Sequence, residues 1–172
     1  MNVDKDTLLP FNYTYIGDFK DSLLMVENGI VFNFFNIKTN DFLLKEWLNV
    51  YPESRELACY INGYSKVYID GGYNFIDVNG EKLFRNSYSN IGEYSKLIAF
   101  EKGGKWGVID HEEKVVIKAV YDKTTSFNND YCMVYLSPFV GLVKKTGEKV
   151  LDVYYEDLKF VSDSILIAKG IG

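Results

Sequence analysis

The sequence predicts an all-β chain, a tandem array of about five short antiparallel three-stranded β-units of ~33 residues each. Three observations predict it. First, Tyr13, Trp47, Tyr88, Tyr121 and Tyr154 hold the same place in look-alike segments, with steps of 34, 41, 33 and 33 residues. Second, Asn33, Asn74, Gly107 and Gly141 form another column, with steps of 41, 33 and 34. Two columns that share the long step at the same point are hard to obtain by chance, and such periods mean stacked supersecondary units. Third, aromatic residues make up 16% of the chain, with 14 Tyr, 12 Phe and 2 Trp, and they alternate with Gly- and Asn-rich turn signals. Aromatic and β-branched side chains favour a pleated, half-buried surface.

The 172 residues read as a single repeat domain with units at about 8–23 (partial), 24–65, 66–96, 97–130, 131–163 and 164–172 (partial). The first full unit is degenerate: Leu24-Met25-Val26, the turn Asn28-Gly29, then Val31 to Asn36. It also holds about 8 extra residues between Trp47 and Lys66, where Tyr51 to Leu57 allows a short helix or a looped excursion. The second runs Lys66 to Asp70, the turn Gly71-Gly72, Tyr73 to Asp77, and the turn Asn79-Gly80. The third is the clearest. Leu97 to Lys102 reads as a strand, Gly103-Gly104 as a two-residue turn that needs positive φ at both positions, and Lys105 to Asp110 as the return strand. His111 to Lys114 is a polar turn, and Val115-Val116-Ile117 a short third strand leading to Tyr121. The fourth repeats the order: Met133 to Leu136, Ser137-Pro138, Val140 to Val143, Thr146-Gly147 and Lys149 to Leu151.

Six residues beyond the column tyrosines stand Phe19, Tyr94, Phe127 and Phe160; Glu53 breaks the rule after Trp47. Each unit is too small to bury its own apolar face, so the repeated aromatics, Trp47 and Trp106 included, are expected to pack as core between neighbours. Leu8-Leu9-Pro10 matches a third strand and Ser164 to Gly170 a first strand and turn. The array therefore reads as open, or alternatively as a closed propeller-like ring that joins the two partial units.

Glu101-Lys102-Gly103-Gly104-Lys105-Trp106-Gly107-Val108-Ile109-Asp110, followed by Val115-Val116-Ile117 and Tyr121-Asp122, resembles a WG (KWG) repeat. Tyr73-Asn74-Phe75-Ile76-Asp77 resembles its relaxed form. The resemblance spans roughly residues 8–169, and only the third unit keeps the Trp-Gly pair. It implies a divergent bacterial or phage member with β-rich repeats. It implies no reaction, cofactor or catalytic residue.

Chemistry is sparse on the chain's own terms. His111 is the only histidine and sits in a polar turn, so zinc and histidine-based triads have little to work with. Cys59 and Cys132 lie in apolar strand contexts and read as buried thiols. Glu112-Glu113 and Glu156-Asp157 are adjacent pairs, whereas glycosidases hold two carboxylates across a cleft. Asp77 to Glu81 shares only the start of a calcium loop, and the hairpin turn accounts for it better. Gly103-Gly104-Lys105 lacks the rest of a phosphate loop. No catalytic, metal or cofactor-binding residue is assigned, and the chain is read as no enzyme.

The net charge of −5 argues against direct nucleic-acid binding. Residues 1–60 carry 9 acidic and 5 basic side chains, which places the acidity at that end. No leader or membrane-spanning stretch is read, so a cytoplasmic location is expected. The functional expectation is a scaffold that binds another protein. One alternative is a phage- or mobile-element inhibitor or immunity protein that blocks a host defence or toxin enzyme; another is a glycan- or cell-wall-binding module. The candidate partner residues are Tyr51, Glu53, Arg55 and Glu56 in the irregular segment, with Asp18 and Asp21 in the acidic region. Oligomeric state is left open.

Overall fold

The structure is a computed structural model, which describes residues 9, 12–20, 22–50, 62–162 and 165–170. Among these residues the chain forms seventeen strands in small antiparallel sheets, with no helix and no sheet closed into a barrel. Two compact bodies divide it, residues 1–87 and 88–172.

In the first body, β1 (Tyr15–Lys20), β2 (Leu23–Asn28), β3 (Val31–Asn36) and β4 (Asp41–Phe42) follow one another across a sheet. The short β5 (Leu48–Asn49) also pairs with β3. A hairpin of β6 (Tyr64–Ile69) and β7 (Gly72–Asp77) completes this body. Its core gathers Leu23, Met25, Phe32, Phe34, Val67 and Ile76, so the sheet and the hairpin share one apolar cluster. Burial of these side chains out of water is the main stabilising contribution.

In the second body, one sheet is ordered β11-β10-β9-β8, from β8 (Asn90–Ile91), β9 (Ile98–Lys102), β10 (Lys105–Ile109) and β11 (Val115–Tyr121). The next runs β12 (Lys123–Thr124), β13 (Tyr131–Leu136), β14 (Phe139–Lys144) and β15 (Lys149–Tyr155). A final pair joins β16 (Asp157–Ser162) to β17 (Ile165–Lys169). The three strands read in each unit thus gain a fourth. It comes from the residues just after the aromatic column: β11 passes into β12 with only Asp122 between them, and β15 into β16 with only Glu156 between them. One extended stretch therefore serves two successive sheets.

The column of Asn33, Asn74, Gly107 and Gly141 falls at the middle of the second strand in each unit. These residues pair with Val26, Val67, Phe100 and Val134, which are all buried. The residue type follows from what crosses there. A Cβ on Gly107 would lie 2.5 Å from the Ile117 carbonyl oxygen and 2.6 Å from the Ala119 nitrogen. One on Gly141 would lie 2.8 Å from the Leu151 oxygen. The seven-residue strands β11 and β15 run directly over these positions, and only glycine leaves room. Where Asn replaces Gly, the side chain takes the place of part of the strand. The Asn33 amide donates to Leu44 O (2.8 Å) while its Oδ1 accepts from the Leu44 nitrogen (3.1 Å). Asn74 does the same with Phe84, at 2.9 and 3.1 Å.

Register corrects one column. Trp106 pairs with Tyr121, and its equivalent Val140 pairs with Tyr155, not Tyr154. The true step is 34, the same as from Gly107 to Gly141, and it leaves Tyr154 59% exposed. Two turns also shift. Ile69 pairs with Gly72, so the turn is Asp70-Gly71, with φ of 54° and 78°, instead of Gly71-Gly72. Asn28 pairs with Val31, so Gly29-Ile30 turns instead of Asn28-Gly29. Asp tolerates the left-handed region well enough to open a turn, which composition alone does not reveal. Gly103-Gly104 is as read, with φ of 61° and 74°.

The packing of the aromatic column is mixed. Tyr13 and Trp47, successive members, stack at 6.2 Å and 14°, with Phe42 against Trp47 at 4.9 Å. Tyr121 is buried in a cluster with Val108, Ile117, Cys132, Val134 and Val143. Trp47 and Trp106, expected in the core, are only half-buried.

Candidate functional site

Of the sequence-derived partner residues, Tyr51, Glu53, Arg55, Glu56 and Asp21 lie outside the described residues, as does Cys59. Asp18 stands exposed on β1. The residues singled out for chemistry have local structural partners. Asp77 caps its own turn, its Oδ1 accepting from the Asn79 and Glu81 amides at 2.8 and 2.9 Å. Asp110 does the same for Glu112 and Lys114. Glu113 accepts from the Tyr88 hydroxyl at 2.8 Å. Burial and that carboxylate push the Tyr88 phenol well above its ordinary range. Glu156 pairs with Lys169 at 2.5 Å. Cys132 is fully buried, and desolvation raises its thiol, which disfavours the reactive thiolate. No cluster of three or more metal-ligating side chains occurs among the described residues.

Two features of the second body remain. The first is the pair of outer strands. β11 and β15 each end their sheet, and each carries a bulged register against its neighbour. At equivalent positions 34 residues apart they expose Val120 (51%) and Tyr154 (59%). Tyr154 stacks on Phe139 at 6.5 Å and 21°, and Phe139 pairs across the hairpin turn with the exposed Leu136. Lys105 and Asp122 form an ion pair at the foot of β11, and Asp122 Oδ2 also accepts from the Ser137 amide at 2.8 Å. These contacts hold the Asp122 carboxyl below the usual carboxylate range, the lysine being the larger cause.

The second is an open cleft of about 350 Å³ between equivalent loops of successive sheets, residues 93–97 before β9 and 126–129 before β13, with Lys145 at one side. Tyr94 and Phe127, both from the second aromatic column, line it. His111 sits in the polar turn its sequence context predicts, half-buried. It stacks on Tyr94 at 5.2 Å and 29°, and its Nε2 lies 2.8 Å from Ser95 O. Lys145 is the structural equivalent of His111 and pairs with Asp130 at 2.5 Å. The repeated six-residue spacing signalled these aromatics. The cleft itself joins segments about 33 residues apart and has no local sequence signature.

The family model of the WG-containing repeat matches residues 1–29 and 106–136, the second match beginning at the Trp106-Gly107 pair. Over these two segments the chain is similar to the WG-containing repeat. The matched segments bracket degenerate units of the same period, and in the second one the glycine of the Trp-Gly pair is the residue crossed by β11. A solved structure described as KlHsv2 with loop 6CD replaced by a Gly-Ser linker aligns over 78% of this chain and 50% of that one. It is 11% identical, with a TM-score of 0.44. This chain spans half the length of that protein. No curated protein matches it.

Proposed function

We propose that this chain is a non-enzymatic scaffold that binds another protein, and that the outer strands β11 and β15 supply the contact face. The observation that carries the reading is the exposure of an apolar side chain at the same repeat position twice, Val120 and Tyr154. Val115 (50%) and Val150 (41%) add to it on the same strands. Exposed apolar side chains occurring singly are ordinary, but recurrence at the same position on successive edge strands offers a partner the same apolar feature repeatedly along the array. The bulges and the exposed Lys118 and Lys149 blunt these edges against strand addition, so recognition runs through side chains. Tyrosine on a supporting aromatic is a favoured anchor at interfaces.

The test is capture of partners from a bacterial lysate by the tagged chain, read by mass spectrometry. The double variant Val120→Glu/Tyr154→Glu is run beside wild type and beside Arg55→Ala/Glu56→Ala. One stoichiometric protein retained by wild type and lost with the outer-strand variant supports the reading. Loss only with the 55/56 variant moves the contact to the irregular segment. A clean bait in every case overturns protein binding.

A further inference from the structure

We propose that the cleft between residues 93–97 and 126–129 binds a short saccharide. A sugar presents an apolar face of C–H bonds and a rim of hydroxyls that both donate and accept. A site for it therefore needs fixed aromatic surface with mixed hydrogen-bonding groups beside it and little net charge. The cleft has each of these. Tyr94 is braced by the stacked His111 ring, and the adjacent Ser95 carbonyl is tied to the same imidazole, so the ring is oriented before any ligand arrives. Phe127 is anchored from below, packed against the buried cluster of Val108, Cys132 and Val143. The volume of about 350 Å³ is at the small end of ligand pockets, which run roughly 300–1,000 Å³.

The polar rim is uncommitted. Among the described residues the side chains of Glu93, Lys96, Ser126 and Asn129 have no hydrogen-bond or ion-pair partner. Together they offer a carboxylate acceptor, an ammonium donor, a hydroxyl and an amide, the mixture that hydroxyl groups require. Charge disfavours an anionic ligand: Glu93 offsets Lys96, and Lys145 is already held by Asp130. A purely apolar ligand would strip water from these four groups and return no hydrogen bonds. The inference does not depend on the outer-strand reading, and its test uses different residues.

The experiment is a titration of the ¹⁵N-labelled full chain with chitotriose, cellotriose and maltotriose in separate runs, with inorganic phosphate as the fourth probe. The expected result is saturable shifts of the amides of residues 93–97 and 126–129 with at least one trisaccharide and none with phosphate. Glu93→Ala/Ser126→Ala, two exposed positions, should weaken that sugar by about tenfold without changing the melting temperature. The proposal is overturned by any of three results: no trisaccharide moves the cleft amides at millimolar concentration, phosphate binds there instead, or the folded double variant binds sugar as wild type does.

Discussion

Asn74 and Phe84 exchange two hydrogen bonds: the Asn74 amide donates to Phe84 O at 2.9 Å, and Asn74 Oδ1 accepts from the Phe84 nitrogen at 3.1 Å. A side chain here completes the bonding that a neighbouring strand would otherwise supply. The same oxygen accepts from the Phe75 nitrogen at 2.8 Å, and the amide also reaches Asn86 O at 3.1 Å. Asn74 is fully buried, so water cannot replace these partners. Asn74→Ala should destabilise the fold by about 3 kcal/mol, the scale for stripping partners from several buried polar groups. Urea denaturation reads it, and an unchanged midpoint would show that the 83–86 segment holds its place without the side chain.

Gly107 makes the opposite bargain with its neighbour strand. All three nearest atoms to a Cβ there are backbone atoms of β11, at 2.5, 2.6 and 2.8 Å. No rotamer change relieves such a contact, so Gly107→Ala should cost about 3 kcal/mol through displacement of β11. Gly103→Ala is the control. Its φ of 61° strains an alanine, but no atom lies within 4 Å, so about 1 kcal/mol is expected. Equal losses for the two variants would mean that backbone conformation, not the crossing strand, sets the cost.

Trp106 begins the motif that gives the repeat its name, yet it is half-buried, while Gly107 beside it is buried. A fully buried tryptophan would lose about 3–5 kcal/mol on truncation to alanine. With part of the ring already in water, Trp106→Ala should lose about 2 kcal/mol, less than Gly107→Ala. Thermal melts of the two variants side by side check the order. The reverse order would put the ring at the centre of the packing.

The parts of this fold legible in sequence are those that recur at fixed spacing for a steric reason. The Asn/Gly column was readable because one position per unit is crossed by other backbone, and only a residue without bulk, or one that substitutes for backbone, is accepted there. The fourth strands were missed because β11 turns into β12 at Asp122, and β15 into β16 at Glu156, without a Gly or Pro to mark the bend. Tyr154 passed for the column residue because Tyr155 stands beside it. Only strand register separates the exposed ring from the half-buried one. The cleft was illegible as a cleft, since its walls meet only after two sheets have formed. His111 looked inert for the same reason: its partners, Tyr94 and Ser95, are 17 and 16 residues away.

Asp122 should give the fold a measurable acid dependence. Its carboxyl is held below its ordinary value of 3.8, first by the Lys105 ammonium and then by the Ser137 amide, so the folded chain binds this proton less readily than the unfolded one. A depressed carboxyl contributes stability that is complete above the unfolded pKa and is lost as the pH falls through the folded one. The loss should therefore begin near pH 4 and continue below it. Because the group is at the surface, the effect is modest and salt-sensitive. Asp122→Asn should melt below wild type by a constant margin from pH 5 to 7 and approach it as the pH drops under 4. Melting curves from pH 2.5 to 7 at low and high salt read this. A margin that stays constant down to the lowest pH would show that the carboxylate charge is not what ties the β11–β12 bend to Lys105 and to the turn at Ser137.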